Sequence, residues 1–163
     1  MKLLKKVTGE ALLFLTLGIL SFWADFRKIN TLAERKTGLV LITKLESKKG
    51  VLTRSAIALR LATVPVKAKS TITFDNGSKN LDWQPVETAT GAKCYFAHPY
   101  HWWERGTNEN TNRLIRDYFP KGADFRTISL EELAFVEREL NERPRKWLGW
   151  KSPLQVWSGA LGS

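Results

Sequence analysis

Two carboxylates stand where side chains can do chemistry. Asp75 ends the β-type run Thr71-Ile72-Thr73-Phe74 and begins the turn signal Asp75-Asn76-Gly77. The end of a rigid strand is a usual place for a functional side chain in an α/β fold. Glu109 falls in the first turn of a helix predicted over Thr107–Phe119. A sheet with that helix packed against its end could bring the two together. Carboxylates a few ångströms apart repel unless a cation or proton lies between them. Hard oxygen donors of this kind suit Mg²⁺ or Mn²⁺. Each residue also has a structural use, Asp75 as a turn former and Glu109 as a partner of the helix dipole. Arg116, two helical turns beyond Glu109 and on the same face, could hold a DNA phosphate. Arg113 competes as the i+4 partner of Glu109.

The elements that would position these groups follow from pattern. Asn30–Ala33, the turn Glu34-Arg35-Lys36-Thr37-Gly38 and Leu39–Leu45 predict a hairpin. The continuous apolar run of its second strand suits a strand covered on both faces. Val51–Ala62 predicts a helix stopped before Pro65, and Lys93–Ala97 a strand closed by Pro99. A connecting helix is expected between Asp75 and Lys93. Ser129-Leu130-Glu131-Glu132 is a capping box, opening a helix with Leu133, Val136 and Leu140 on one face and ending before Pro144. Ser152-Pro153 starts a last helix bearing Val156 and Trp157. Strands interleaved with helices give an α/β fold with a mixed sheet.

The 163 residues suffice for one domain, and 43% hydrophobic content rules out wholesale disorder. Twenty-six Lys and Arg against sixteen Asp and Glu give a net charge of +10, which favours a polyanionic partner, nucleic acid or an anionic membrane surface. A single cysteine, Cys94, excludes a disulfide scaffold and a multi-cysteine zinc site. At the N-terminus, the basic Met1–Lys6 precedes the apolar Ala11–Trp23. That run is shorter than the roughly twenty residues a membrane-spanning helix needs. It has the outline of a signal peptide, but Ser21-Phe22-Trp23-Ala24-Asp25 puts bulky aromatics where cleavage wants small residues. A buried or misplaced apolar segment is the favoured reading.

Several stretches together resemble the "IS thirty" family of bacterial insertion-sequence transposases. They are Thr71–Gly77, Arg105-Gly106-Thr107-Asn108-Glu109-Asn110-Thr111-Asn112, Tyr118-Phe119-Pro120-Lys121-Gly122, Leu140-Asn141-Glu142-Arg143-Pro144-Arg145-Lys146 and Lys151-Ser152-Pro153, with the Glu34–Gly38 hairpin. They run in order from about residue 29 to about 157. The resemblance implies an RNase H-like mixed sheet flanked by helices, an integrase-type core, and an Asp, Asp, Glu triad holding two divalent ions, Mg²⁺ or Mn²⁺. Such ions can lower the pKa of bound water from about 15.7 to near neutrality, so hydrolysis needs no basic side chain. By this resemblance Asp75 is the second carboxylate and Glu109 the third. The family's first Asp lies on the opening strand in a Trp-Glu-Gly-Asp type of sequence; the nearest candidate here is Asp25, in Phe22-Trp23-Ala24-Asp25. Lys79-Asn80 replace the usual Phe and His, and Arg113 stands where Gly is common.

Residues 1–28 otherwise match nothing in the family, so the expectation is a partial core over 29–163, incomplete at its first strand and lacking the N-terminal helix-turn-helix region. DNA is the expected partner, contacted by Arg105, Arg116, Arg143, Arg145 and Lys146, together with a second copy or a full-length transposase. No small-molecule cofactor is expected, and the bacterial cytoplasm is the expected location. Two alternatives are a catalytically dead derivative that still binds DNA or a full-length transposase, and an exported or membrane-surface basic protein.

Other features are weaker. His98, His101 and Glu104 have zinc-like spacing only on a helix, which Pro99 opposes. Trp102 and Trp103 could stack on an extruded base, although packing on the sheet is commoner. Trp147, Trp150 and Trp157 are expected in the core of the C-terminal helices.

Overall fold

The structure, a computed structural model, describes residues 14–20, 28–46, 50–65, 69–74, 83–96, 106–120 and 122–162. Five strands, β1 (Phe14–Leu20), β2 (Lys28–Glu34), β3 (Val40–Leu45), β4 (Thr71–Phe74) and β5 (Lys93–Phe96), form one sheet in the order β3-β2-β1-β4-β5. β1–β2 and β2–β3 are antiparallel, β1–β4 and β4–β5 parallel. The helices are α1 (Gly50–Ala62), α2 (Gln84–Thr90), α3 (Gly106–Tyr118), α4 (Leu130–Glu142) and α5 (Pro153–Gly162).

β1 corrects one expectation. The sheet is not missing its opening strand: Phe14–Leu20, within the segment expected to stand outside the core, is the central strand, paired on both sides. A strand flanked by two others tolerates an unbroken apolar run, and the same pattern imitates the apolar part of a signal peptide. Among the described residues no helix is long and apolar enough to cross a membrane.

The β2–β3 hairpin is set by Glu34. Its fully buried carboxylate accepts from the Lys36 and Thr37 N–H groups (3.0 and 2.6 Å) and from the Thr37 hydroxyl (2.7 Å). A buried charge is tolerable when hydrogen bonds replace its water in this way. The Gly38 N–H closes the turn onto the Glu34 carbonyl, with Gly38 at φ +72°, a backbone region that glycine enters without steric cost.

Alternation along the strands divides the core in two. Ile29, Val40 and Ile42 face Leu114 and Ile115 of α3 and Leu133, Val136 and Leu140 of α4. Leu32, Ile72 and Phe74 face Ile57 and Leu61 of α1 and Val86 of α2, with Cys94 buried among them. The result is a sheet between two helical layers. Ser129 and Glu132 form the expected capping box: the Ser129 N–H donates to the Glu132 carboxylate (2.6 Å) and the Glu132 N–H to the Ser129 hydroxyl (3.0 Å).

α4 also closes the outer edge of β3. The Asn141 side-chain amide both accepts from the Val40 N–H (2.8 Å) and donates to the Val40 carbonyl (2.7 Å). Glu137 accepts from the Ile42 N–H (2.6 Å) and is paired with Arg60 of α1. Lys44 Nζ donates to the Ile128 carbonyl (2.5 Å). Side chains of α4 thus satisfy the Val40 N–H and carbonyl and the Ile42 N–H, groups that an open edge strand would offer to another chain.

Candidate functional site

α3 lies across β1 and β2 on the α4 side of the sheet. Its sequence GTNENTNRLIRDY buries Thr111, Leu114 and Ile115 and leaves Glu109, Asn110, Arg113, Arg116 and Asp117 exposed. Glu109 in the first turn and Arg116 in the last both suit the helix dipole. Arg113 donates to Asn110 Oδ1 (3.2 Å) and, among the described residues, forms no ion pair with Glu109.

The carboxylates expected to hold metal are only partly in view. Glu109 is on α3, as expected; Asp75 and Asp25 lie outside the described residues, as do Arg105, Trp102, Trp103, His98, His101 and Glu104. Among the described residues no group of three His, Cys, Asp or Glu could hold a metal ion. β1, where the resemblance expects the first carboxylate, reads FLTLGIL and carries none. Its parallel register pairs Phe14 with Thr71 and Thr16 with Thr73. The described residues alone therefore do not complete a metal centre.

A second group does come together. The amino half of α3, the β2–β3 turn and the segment after α4 enclose a concavity of about 330 Å³, lined among others by Arg35, Gly38, Asn110, Thr111, Arg145 and Trp147. That is the lower end of the roughly 300–1,000 Å³ typical of small-ligand clefts. Arg145 is half-buried and donates to the Leu140 carbonyl (3.1 Å), tying down the end of α4. Burial, then the neighbouring Arg143, hold its guanidinium below its ordinary pKa, with Tyr118 acting the other way. Arg35, Arg143, Lys146 and Lys151 are exposed around it. Among the described residues no ion pair engages Arg35, Arg143, Arg145 or Lys146.

The tryptophans of this segment depart from expectation. Trp157 is buried against Leu39, as expected of a core residue, but Trp147 and Trp150 are 60% and 69% exposed. The reason is local: residues 145–151 fold back on themselves. The Arg145 N–H donates to the Lys151 carbonyl and the Trp150 N–H to the Arg145 carbonyl, both at 3.0 Å. Closing so short a loop puts Gly149 and Trp150 at φ +63° and +64°, and the rings between the closing bonds point outward. Only the interleaving of Trp with Arg and Lys in Arg145-Lys146-Trp147-Leu148-Gly149-Trp150-Lys151 could have signalled this.

The sequence has close relatives among known proteins. It is 37% identical over 135 residues to the transposase for insertion sequence element IS1086 of Cupriavidus metallidurans, covering 83% of this chain and 40% of the relative. It is 41% identical over 125 residues to the IS4351 transposase of Bacteroides fragilis (77% and 38%), and 38% identical over 128 residues to transposase InsI of IS30A from Escherichia coli (78% and 33%). The chain is a homologue of the IS30 transposases. It spans two fifths or less of the length of these relatives. No family model matches it.

Solved structures show the same fold at low identity. The catalytic core domain of BIV integrase superposes with a TM-score of 0.69 at 17% identity, covering 94% of this chain and 97% of that one. A chain of the simian T-cell lymphotropic virus intasome in complex with PP2A regulatory subunit B56 gamma gives 0.68 at 14% identity, covering 95% and 56%. The chain thus has the RNase H-like fold seen in integrase catalytic cores.

Proposed function

We propose that this chain serves DNA transposition and integration as the integrase-type core of a transposase, acting on DNA phosphodiesters in the bacterial cytoplasm. The observation that carries the reading is the strand order β3-β2-β1-β4-β5 with α3 laid over β1 and β2, in a homologue of insertion-sequence transposases. In this reading Asp75 and Glu109 are carboxylates for Mg²⁺ or Mn²⁺, and Asp25 is the candidate for the third. The ions would supply an activated water and stabilise a leaving oxygen. Arg105, Arg116, Arg143 and Lys146 contact the DNA backbone, Arg145 does so beside its structural bond, and a second copy or a longer transposase completes the assembly. The net charge of +10 supports a polyanionic partner.

A specific observation favours a second reading, a derivative that binds DNA without cutting it: β1 has no carboxylate. Nicking of supercoiled plasmid by the purified chain with Mn²⁺, beside Asp75→Ala, separates the two. Nicking lost in the variant supports a working metal site. DNA binding without nicking in either protein supports the silent derivative, and equal nicking by both marks a contaminating nuclease.

A further inference from the structure

We propose that the loop Arg145–Lys151 is a stacking site for an unpaired DNA nucleotide, with Trp147 as the platform and Arg35 and Lys146 on the flanking phosphates. The inference rests on the reading of the chain as a DNA-acting protein and goes further by naming the form of DNA that this surface takes.

Two large indole rings stand in solvent, 60% and 69% exposed, within seven residues of one another and among four cations. Neither ring pairs with another aromatic ring or lies beneath a cation among the described residues. Their exposure is built in. Trp150 is the one non-glycine residue with positive φ among those described, and strain of that kind persists only where surrounding bonds enforce it. The loop's backbone bonds do so. At Trp147 the neighbour is Gly38, where a Cβ would stand 2.9 Å from the indole Cζ2. The absent side chain lets the ring lie over the β2–β3 turn at the rim of the concavity, with Arg35 and Arg145 lining it.

The charge selects the occupant. Residues 142–151 carry four cations (Arg143, Arg145, Lys146, Lys151) and two tryptophans against one carboxylate, Glu142. A protein partner of ordinary composition would need acidic groups to match. A nucleic acid strand supplies phosphate to every cation and a π-face to the rings, which is how single strands are held without regard to sequence. A duplex keeps its bases stacked on one another and offers the platform only its ends.

The test measures affinity of the full chain for a labelled single-stranded oligonucleotide and for the blunt duplex of the same sequence, using Trp147→Ala, Trp147→Phe and Trp150→Ala. Trp147→Ala should weaken single-strand binding about tenfold or more and duplex binding less than about twofold, while Trp147→Phe retains most of the affinity. A melting curve matching wild type verifies that the exposed substitution leaves the fold intact. Equal losses on both DNAs, or no loss on the single strand, overturn the proposal. Loss of self-association in Trp147→Ala with DNA affinity unchanged makes the patch a protein interface, which also overturns it. If the wild-type chain binds neither DNA, the DNA reading itself fails and takes this inference with it.

Discussion

At the β3 edge, α4 makes the hydrogen bonds that a sixth strand would make; at the seam of β1 and β4, the strand expected to bring a carboxylate brings Phe, Leu, Thr, Gly and Ile. The two regions belong to one sheet but are equipped differently. The edge depends on contacts between residues about a hundred positions apart, Val40 with Asn141 and Ile42 with Glu137, and every one is present. On the proposed function the seam would carry an acidic residue, and the seven residues of β1 include none. A fold needs its many apolar positions filled approximately, whereas a metal centre needs particular atoms. A scaffold can therefore be whole independently of the chemistry it carries.

The largest expected effects test whether the two faces of the sheet are equally well packed. Leu140→Ala in the α4 layer and Ile72→Ala in β4 each remove a fully buried side chain, and each should cost about 2–5 kcal/mol in a urea unfolding curve. Similar losses would place the whole difference between the regions in chemistry. A loss below about 1 kcal/mol at Ile72 alone would show the seam loosely packed as well. Asn141→Ala comes next. It strands both the N–H and the carbonyl of Val40, for about 2–4 kcal/mol in total, and it reopens the β3 edge. Sedimentation should then show more self-association than in wild type; no increase would mean that α4 shields the edge by bulk alone.

Much of the edge was legible and much of it was not, for one reason. The hairpin at Glu34–Gly38 and the Ser129–Glu132 box are local, with partners two to five residues apart, so their residue types announce them. α1 and α3 were placed within a residue or two because apolar spacing and prolines mark them. Asn141 and Glu137 look like ordinary polar positions on a helix, and only folding brings β3 beneath them. β1 is not legible as a strand, because an apolar run has the same composition in a central strand as in a leader. Trp147 and Trp150 look like core residues in sequence yet stand exposed, because hydrophobicity says nothing of a loop closed by its own backbone.

A smaller effect probes the surface between the two regions. Gly38→Ala puts a Cβ at φ +72° and 2.9 Å from Trp147. The left-handed backbone should cost about 1–2 kcal/mol, whereas the indole, being exposed, can swing away at little further expense. A shift in Trp emission with only that modest loss would confirm that Gly38 seats the ring.

The smallest effect expected is none. Ligand binding to the native state raises stability by RT ln(1 + [L]/Kd), about 1.4 kcal/mol at ten times Kd, so a working metal centre should report itself as a rise in Tm. If the carboxylate-free β1 marks a derivative that does not cut DNA, millimolar Mn²⁺ should leave the Tm of the wild-type chain where it was. Gly18→Asp gives β1 an acid, and there the same Mn²⁺ should raise the Tm, with the gain lost again in Gly18→Asp/Glu109→Gln. A rise already present in wild type and abolished by Asp25→Asn would reverse the contrast. The third carboxylate would then come from outside the strand, and the seam would be as fully equipped as the edge.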